Sequence, residues 1–156
     1  MAIVRVQTAD FDVGAEFAAL VTGCSGIGGI GCFVGVVRDE RPARGAGKDL
    51  AALTLEHYPA MTQPALERIA AEAERRWSLL GCTVIHRHGR LTAGANIVLV
   101  MAAAAHRQPA LDATGFLIDW LKTSAPFWKK EEFADGTASW IESRKADDEA
   151  AARWLG

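Results

Sequence analysis

Cys82-Thr83-Val84-Ile85-His86-Arg87-His88 and Asn96-Ile97-Val98-Leu99-Val100-Met101-Ala102-Ala103-Ala104 decide the fold class of this chain. Both are strand-length runs rich in β-branched and apolar residues, joined only through Gly89 and a turn at Ala93-Gly94. So short a link makes them hairpin-like neighbours, not the parallel pair of a strict βαβ repeat. Upstream, Leu53-Thr54-Leu55-Glu56-His57-Tyr58 alternates at period 2, as a half-buried strand does. Thr62 is then expected to cap a helix with Pro64 in its first turn. Leu66, Ile69, Ala70, Ala73 and Trp77 form its apolar face, and Glu67, Arg68, Glu72, Glu74, Arg75 and Arg76 its polar one. Downstream, Pro109 opens a helix through Leu111, Phe116, Leu117, Trp120 and Leu121, which Pro126 ends soon after Lys122. Phe127 to Lys130 and Ser139 to Glu142 read as late strands, and Asp147 starts a short helix or tail. At the other end, Ile3 to Val6 is a short strand, and Asp12 caps a helix through Glu16, Phe17 and Leu20. A glycine-rich stretch from Gly23 to Gly31 leads into the β-rich Cys32 to Arg38, and Arg41 to Lys48 is a loop by composition. Helices among hairpin-like strands make an α+β fold, read as a single domain over residues 1–156.

Composition narrows the function. Half of the 156 residues are hydrophobic, ample for a buried core, and 23% are charged. Seventeen Lys+Arg against 19 Asp+Glu leave a net charge of −2, which argues against a general nucleic-acid binder but leaves room for a local cationic pocket. Cys24, Cys32 and Cys82 form no CxxC pair and fit a reducing, cytosolic setting. No run approaches the ~18 apolar residues of a membrane span, and Met1 to Arg5 has no secretory pattern. The expectation is a soluble, cytoplasmic protein.

Four constellations bear on chemistry. Gly26-Ile27-Gly28-Gly29-Ile30-Gly31 matches GxGxxG, yet a helix precedes it and a strand follows, the reverse of a dinucleotide site. Its glycines are expected to permit a turn at positive φ. His86 and His88 share a strand face and, with His57, are candidate zinc ligands, but no Cys or carboxylate spacing supports a closed site. His106-Arg107 ends an apolar strand just before a helix, where the arginine charge and free N–H groups favour an anion; a solvated loop pair is the other reading. Lys122 and Lys129, with Lys130, flank Phe127 and Trp128. They are either partners of a helix C-terminus or a cationic pocket with aromatic walls, which Arg38 could join. Crowded cations disfavour each other's protonation and can free an amine as nucleophile or base.

The chain resembles the large, catalytic subunits of molybdopterin synthase. The resemblance is carried by Phe33 to Arg38, Leu53-Thr54-Leu55-Glu56-His57-Tyr58-Pro59-Ala60-Met61, Val84 to Gly89, Ala105-His106-Arg107 and Asp119 to Glu131. These segments stand in family order and span most of the chain. The last includes Leu121-Lys122-Thr123 and Ala125-Pro126-Phe127-Trp128-Lys129, long and unusual enough to be specific.

The resemblance implies an α/β hammerhead with additional antiparallel β-sheet, and a homodimer in which each subunit binds a small ubiquitin-like sulfur carrier, making a heterotetramer. The carrier's C-terminal thiocarboxylate would supply the two dithiolene sulfurs that turn cyclic pyranopterin monophosphate into molybdopterin. Lys122 and Lys129 match the two active-site lysines. Val36, Val37, Arg38, His106 and Arg107 match substrate-contacting positions, and Lys130 and Glu131 complete that wall. Arg144 matches an arginine reaching the site from the other protomer. Val36 stands where family members often carry lysine, so one cation fewer flanks Arg38. The implied chemistry needs no metal or cofactor in this chain and no catalytic cysteine. Two other readings are a non-catalytic module docking a ubiquitin-like tail, and a zinc hydrolase using the three histidines.

Overall fold

The computed structural model describes residues 1–39, 49–141 and 145–155, with the backbone alone at 145 and 146. The elements run β1 (Ile3–Gln7), α1 (Val13–Gly23), β2 (Gly29–Val36), β3 (Leu50–His57), α2 (Pro59–Trp77) and β4 (Gly81–Arg87). They continue with β5 (Gly89–Thr92), β6 (Asn96–Ala104), α3 (Arg107–Thr123), β7 (Phe127–Phe133), β8 (Ala138–Ile141) and α4 (Lys145–Ala152). Among the described residues they form two four-stranded sheets, ordered β1-β4-β6-β2 and β5-β3-β7-β8. β1 runs parallel to β4, Ile3 opposite Thr83 and Gln7 opposite Arg87, and every other pairing is antiparallel. This is the α+β architecture expected from the sequence.

The unbroken apolar run of β6 is explained by burial on both faces. Val98 and Val100 join Val84, Leu66, Ala70, Ala73, Phe116 and Leu117 on the side of α2 and α3. Leu99 and Met101 join Ile85, Phe11 and Leu20 on the side of α1. Period-2 alternation thus feeds two cores from one strand. Burying a Leu, Val or Met side chain contributes roughly 1.5–3 kcal/mol, so β6 adds to the stability of both cores. Asp12 caps α1 as expected, accepting from Ala15 N–H at 2.9 Å. α4 docks on α3 through Trp154, whose indole donates to Asp119 at 2.6 Å and packs on Trp77 and Phe116.

Three expectations are corrected. α2 starts at Pro59, not after Thr62: Pro59 needs no N–H partner in the first turn, and Tyr58 is the N-cap. Thr62 is buried inside that turn and donates its hydroxyl to Tyr58 O at 2.9 Å. Gly89 does not simply join β4 to β6, for it opens β5, which pairs with β3 in the other sheet. At φ +88° it turns the chain sharply enough to change sheets within one residue, carrying Leu91 into the core. Of the glycines in the GxGxxG stretch, only Gly26 has positive φ. Gly28 and Gly31 are required by close approach instead, to Ala105 O and to Thr114 and Ala110 of α3. The expected loop from Arg41 to Lys48 lies outside the described residues.

Candidate active site

The break between α3 and β7 builds the site. α3 ends at Thr123, where Ser124 and Ala125 both donate backbone N–H groups to Trp120 O. Pro126 cannot continue the helix, and Phe127 N–H donates to Ala125 O at 2.8 Å as β7 begins. This tight reversal points Lys122, in the last turn of α3, and Lys129, on β7, into one cavity of about 420 Å³. The cavity lies between the two sheets, with Val36, Val37 and Arg38 along one wall and Phe127 and Ile118 along another. Asp147 also lines it, and so does His86 of β4.

His86 is the residue that motif reading passed over as a cavity member. Its ring stacks on Phe127 at 3.9 Å between centroids and 17° between planes, and only 4% of the residue is exposed. Burial pushes its pKa down to about 3, and the charges of Lys129, Lys122 and His57 press the same way against an opposing bond to Arg87 O. His57 packs on His88 at 4.3 Å, and burial followed by that neighbour lowers its pKa too. Among the described residues, no three His, Cys, Asp or Glu side chains are arranged to hold a metal ion. None of the three cysteines lines the cavity, and burial raises the Cys82 thiol to about 12.

A family model described as MoaE protein matches residues 6–124. The molybdopterin synthase catalytic subunit of Mesorhizobium japonicum is 53% identical over 152 residues, which cover 97% of this chain and 92% of that one. The chain belongs to the MoaE family. The Pseudomonas aeruginosa MoaE relative, also named molybdopterin synthase catalytic subunit, is 51% identical over 151 residues, 97% of each chain. The MoaE structure from Burkholderia ambifaria superposes with a TM-score of 0.82 at 49% identity, covering 100% of this chain and 99% of that one.

Set in the MoaE fold, the remaining candidates divide. Lys130 projects from the face of β7 opposite Lys129 and lies outside the cavity lining. Glu131 shares the Lys129 face but is fully buried, also outside the lining. His106 and Arg107 are exposed at the N-terminal end of α3, His106 being its N-cap. With a rise of 1.5 Å per residue, α3 holds them about 20 Å or more from Lys122 at its other end. Arg144 lies outside the described residues.

Proposed function

We propose that this MoaE protein is the catalytic subunit of a molybdopterin synthase, moving sulfur from the C-terminal thiocarboxylate of a small ubiquitin-like carrier onto cyclic pyranopterin monophosphate. The observation that carries the reading is the convergence of Lys122 and Lys129 in one partly apolar cavity, with Arg38 on its wall. A phosphate monoester and a thiocarboxylate are both anions, and cations offset their mutual repulsion. Arg38 offers the planar donor fork that suits a phosphate. A lysine amine suits attack on the carrier's terminal carbonyl, or proton transfer on the pterin. Each thiocarboxylate holds one sulfur, so two carrier tails are consumed for every dithiolene.

Val36 and Val37 give the wall beside Arg38 an apolar surface for the pterin, and Lys130 and Glu131 support the strand that presents Lys129. His106 and Arg107 serve the site from a second copy, as does Arg144. Their distance from Lys122 along α3 supports this arrangement, a homodimer carrying two carriers in a heterotetramer. One domain over 1–156, working in the cytoplasm, completes the reading. Among the described residues no helix is long and apolar enough to cross a membrane.

Incubation with the pterin precursor and a thiocarboxylated carrier tests the proposal, with product read by fluorescence after oxidation. Molybdopterin formation is expected. A carrier that binds tightly while no product forms would leave only a docking module.

A further inference from the structure

His86 has no part in the sulfur-transfer reading above, yet its surroundings are too specific for filler. Its Nδ1 lies 2.8 Å from Arg87 O, an oxygen that can only accept, so Nδ1 carries the proton. That carbonyl is itself held in place. The Arg87 guanidinium donates to Thr8 O at 3.1 and 2.9 Å and to Asn96 O at 2.9 Å, tying β4 to the end of β1 and the start of β6. Phe127 fixes the plane of the His86 ring from the other sheet. A neutral ring in this tautomer keeps a bare lone pair on Nε2, at the tip farthest from the strand. The cavity it lines is rich in donors and poor in acceptors. Lys129 of β7, Lys122 of α3 and Arg38 after β2 are cationic, His57 of β3 stands behind Phe127 with His88 against it, and among the described residues Asp147 is the one carboxylate in the lining.

We propose that His86 is a positioning residue: its Nε2 accepts a hydrogen bond from the ammonium of Lys129, aiming that amine and setting how tightly it holds its proton. Lys129 is favoured over Lys122 because it stands two residues from Phe127 on the same face of β7, the face on which His86 stacks. An acceptor on the ammonium favours the charged form, opposing the repulsion from Lys122 and Arg38. His86 suits this task because burial and the lysines keep its own ring neutral through the working pH range. The consequence for turnover rests on the sulfur-transfer reading, whereas the hydrogen bond does not.

The first measurement uses wild-type protein with ¹⁵N-labelled histidine rings. A protonated Nδ1 and bare Nε2 are expected from neutral pH down to about pH 5. The opposite tautomer, or protonation near the ordinary pH of about 6.5, would overturn the proposal. The second compares His86→Phe, which keeps the stack and loses the acceptor, with His86→Gln, which places an amide oxygen near the same point. The Lys129 titration midpoint, read from its ¹³Cε shift, should fall by about one unit in His86→Phe and stay near wild type in His86→Gln. Single-turnover product formation should fall by ~10-fold or more in His86→Phe and recover in His86→Gln. An unmoved midpoint in a folded His86→Phe, or equal losses in both variants, reduces His86 to packing. If His86→Phe does not fold, the wild-type tautomer and the His86→Gln midpoint decide. If wild-type protein makes no product, the sulfur-transfer reading falls while both spectra still judge His86.

Discussion

Lys122 sits where two demands meet, at the C-terminal end of a helix dipole that favours its charge and in a cavity that crowds it with other cations. Arginine keeps the charge but cannot release a proton at working pH. Lys122→Arg should therefore lose at least ~100-fold in single-turnover rate with saturating carrier, while carrier binding changes far less. An arginine variant within a few-fold of wild type, beside a dead Lys122→Ala, would make the residue an anion clamp and shift the acid–base role to Lys129. The cysteines yield a second expectation, since none lines the cavity. Replacing Cys24, Cys32 and Cys82 together should leave most of the activity in folded protein. Loss of activity with the fold intact would mean that sulfur passes through this chain. At this scale the residues alone left Lys122 and Lys129 as either helix-end partners or a cationic pocket, and the resemblance chose between them; the reversal at Pro126 that turns both into one cavity is a local feature. His86 was not, because its place in the cavity exists only once β4 and β7, from different sheets, face each other.

Among elements, the contact between β2 and α3 is the least forgiving. A Cβ at Gly31 would lie 2.5 Å from Ala110 O and closer still to Thr114 Oγ1, and just before β2 one at Gly28 would strike Ala105 O, in the link between β6 and α3. Backbone atoms cannot move aside as a flexible side chain does, so Gly31→Ala should destabilise by about 1–3 kcal/mol. Gly23→Ala, at the end of α1 with nothing within 4 Å of the new methyl, should be neutral or slightly stabilising. Urea unfolding of the two variants checks this, and equal effects would refute the close-packing account. The sequence marked the glycines but not their reason: the strand after them is local, while the helix crossing them lies some 80 residues on, by the separation of Gly31 and Ala110. Hydrophobic periodicity was more dependable, because it records burial directly. Leu66, Ala70 and Ala73 are fully buried and Ile69 and Trp77 half so, whereas the start of α2 was misplaced because Tyr58 makes no side-chain cap and Thr62-Gln63-Pro64 offered a competing start to the one Pro59 marks.

For the molecule as a whole, the proposed site takes Arg107 from one copy and Lys122 from another, because α3 holds the two residues at opposite ends within a copy. Lys122→Ala and Arg107→Ala should each be inactive as homodimers. Mixing them after dissociation should restore about a quarter of wild-type activity, since half the dimers are mixed and each mixed dimer has one intact site. No recovery would place all the chemistry within one protomer. Acid stability is a second property of the whole. Above about pH 6.5 the His86 ring is neutral whether the chain is folded or not. Below that, the unfolded chain takes up a proton that the folded ring refuses until about pH 3, so stability falls as pH drops through this window. His57, also lowered, acts in the same direction. The slope approaches ~1.4 kcal/mol per pH unit for a single such group, and His86→Gln should flatten it in urea titrations between about pH 7 and pH 4.5. An unchanged slope would assign the acid sensitivity elsewhere.

The parallel pairing of β1 with β4 also sets a schedule for the newborn chain. Ile3 finds its partner only when Thr83 has emerged, and Leu50 waits likewise for Phe133. At ribosomal speeds of about 5–20 residues per second, the first strand spends roughly 4–16 s without its neighbour. Val4 and Val6 alternate with Arg5 and Gln7, so the waiting strand has one mostly polar side to keep toward water until the sheet can close.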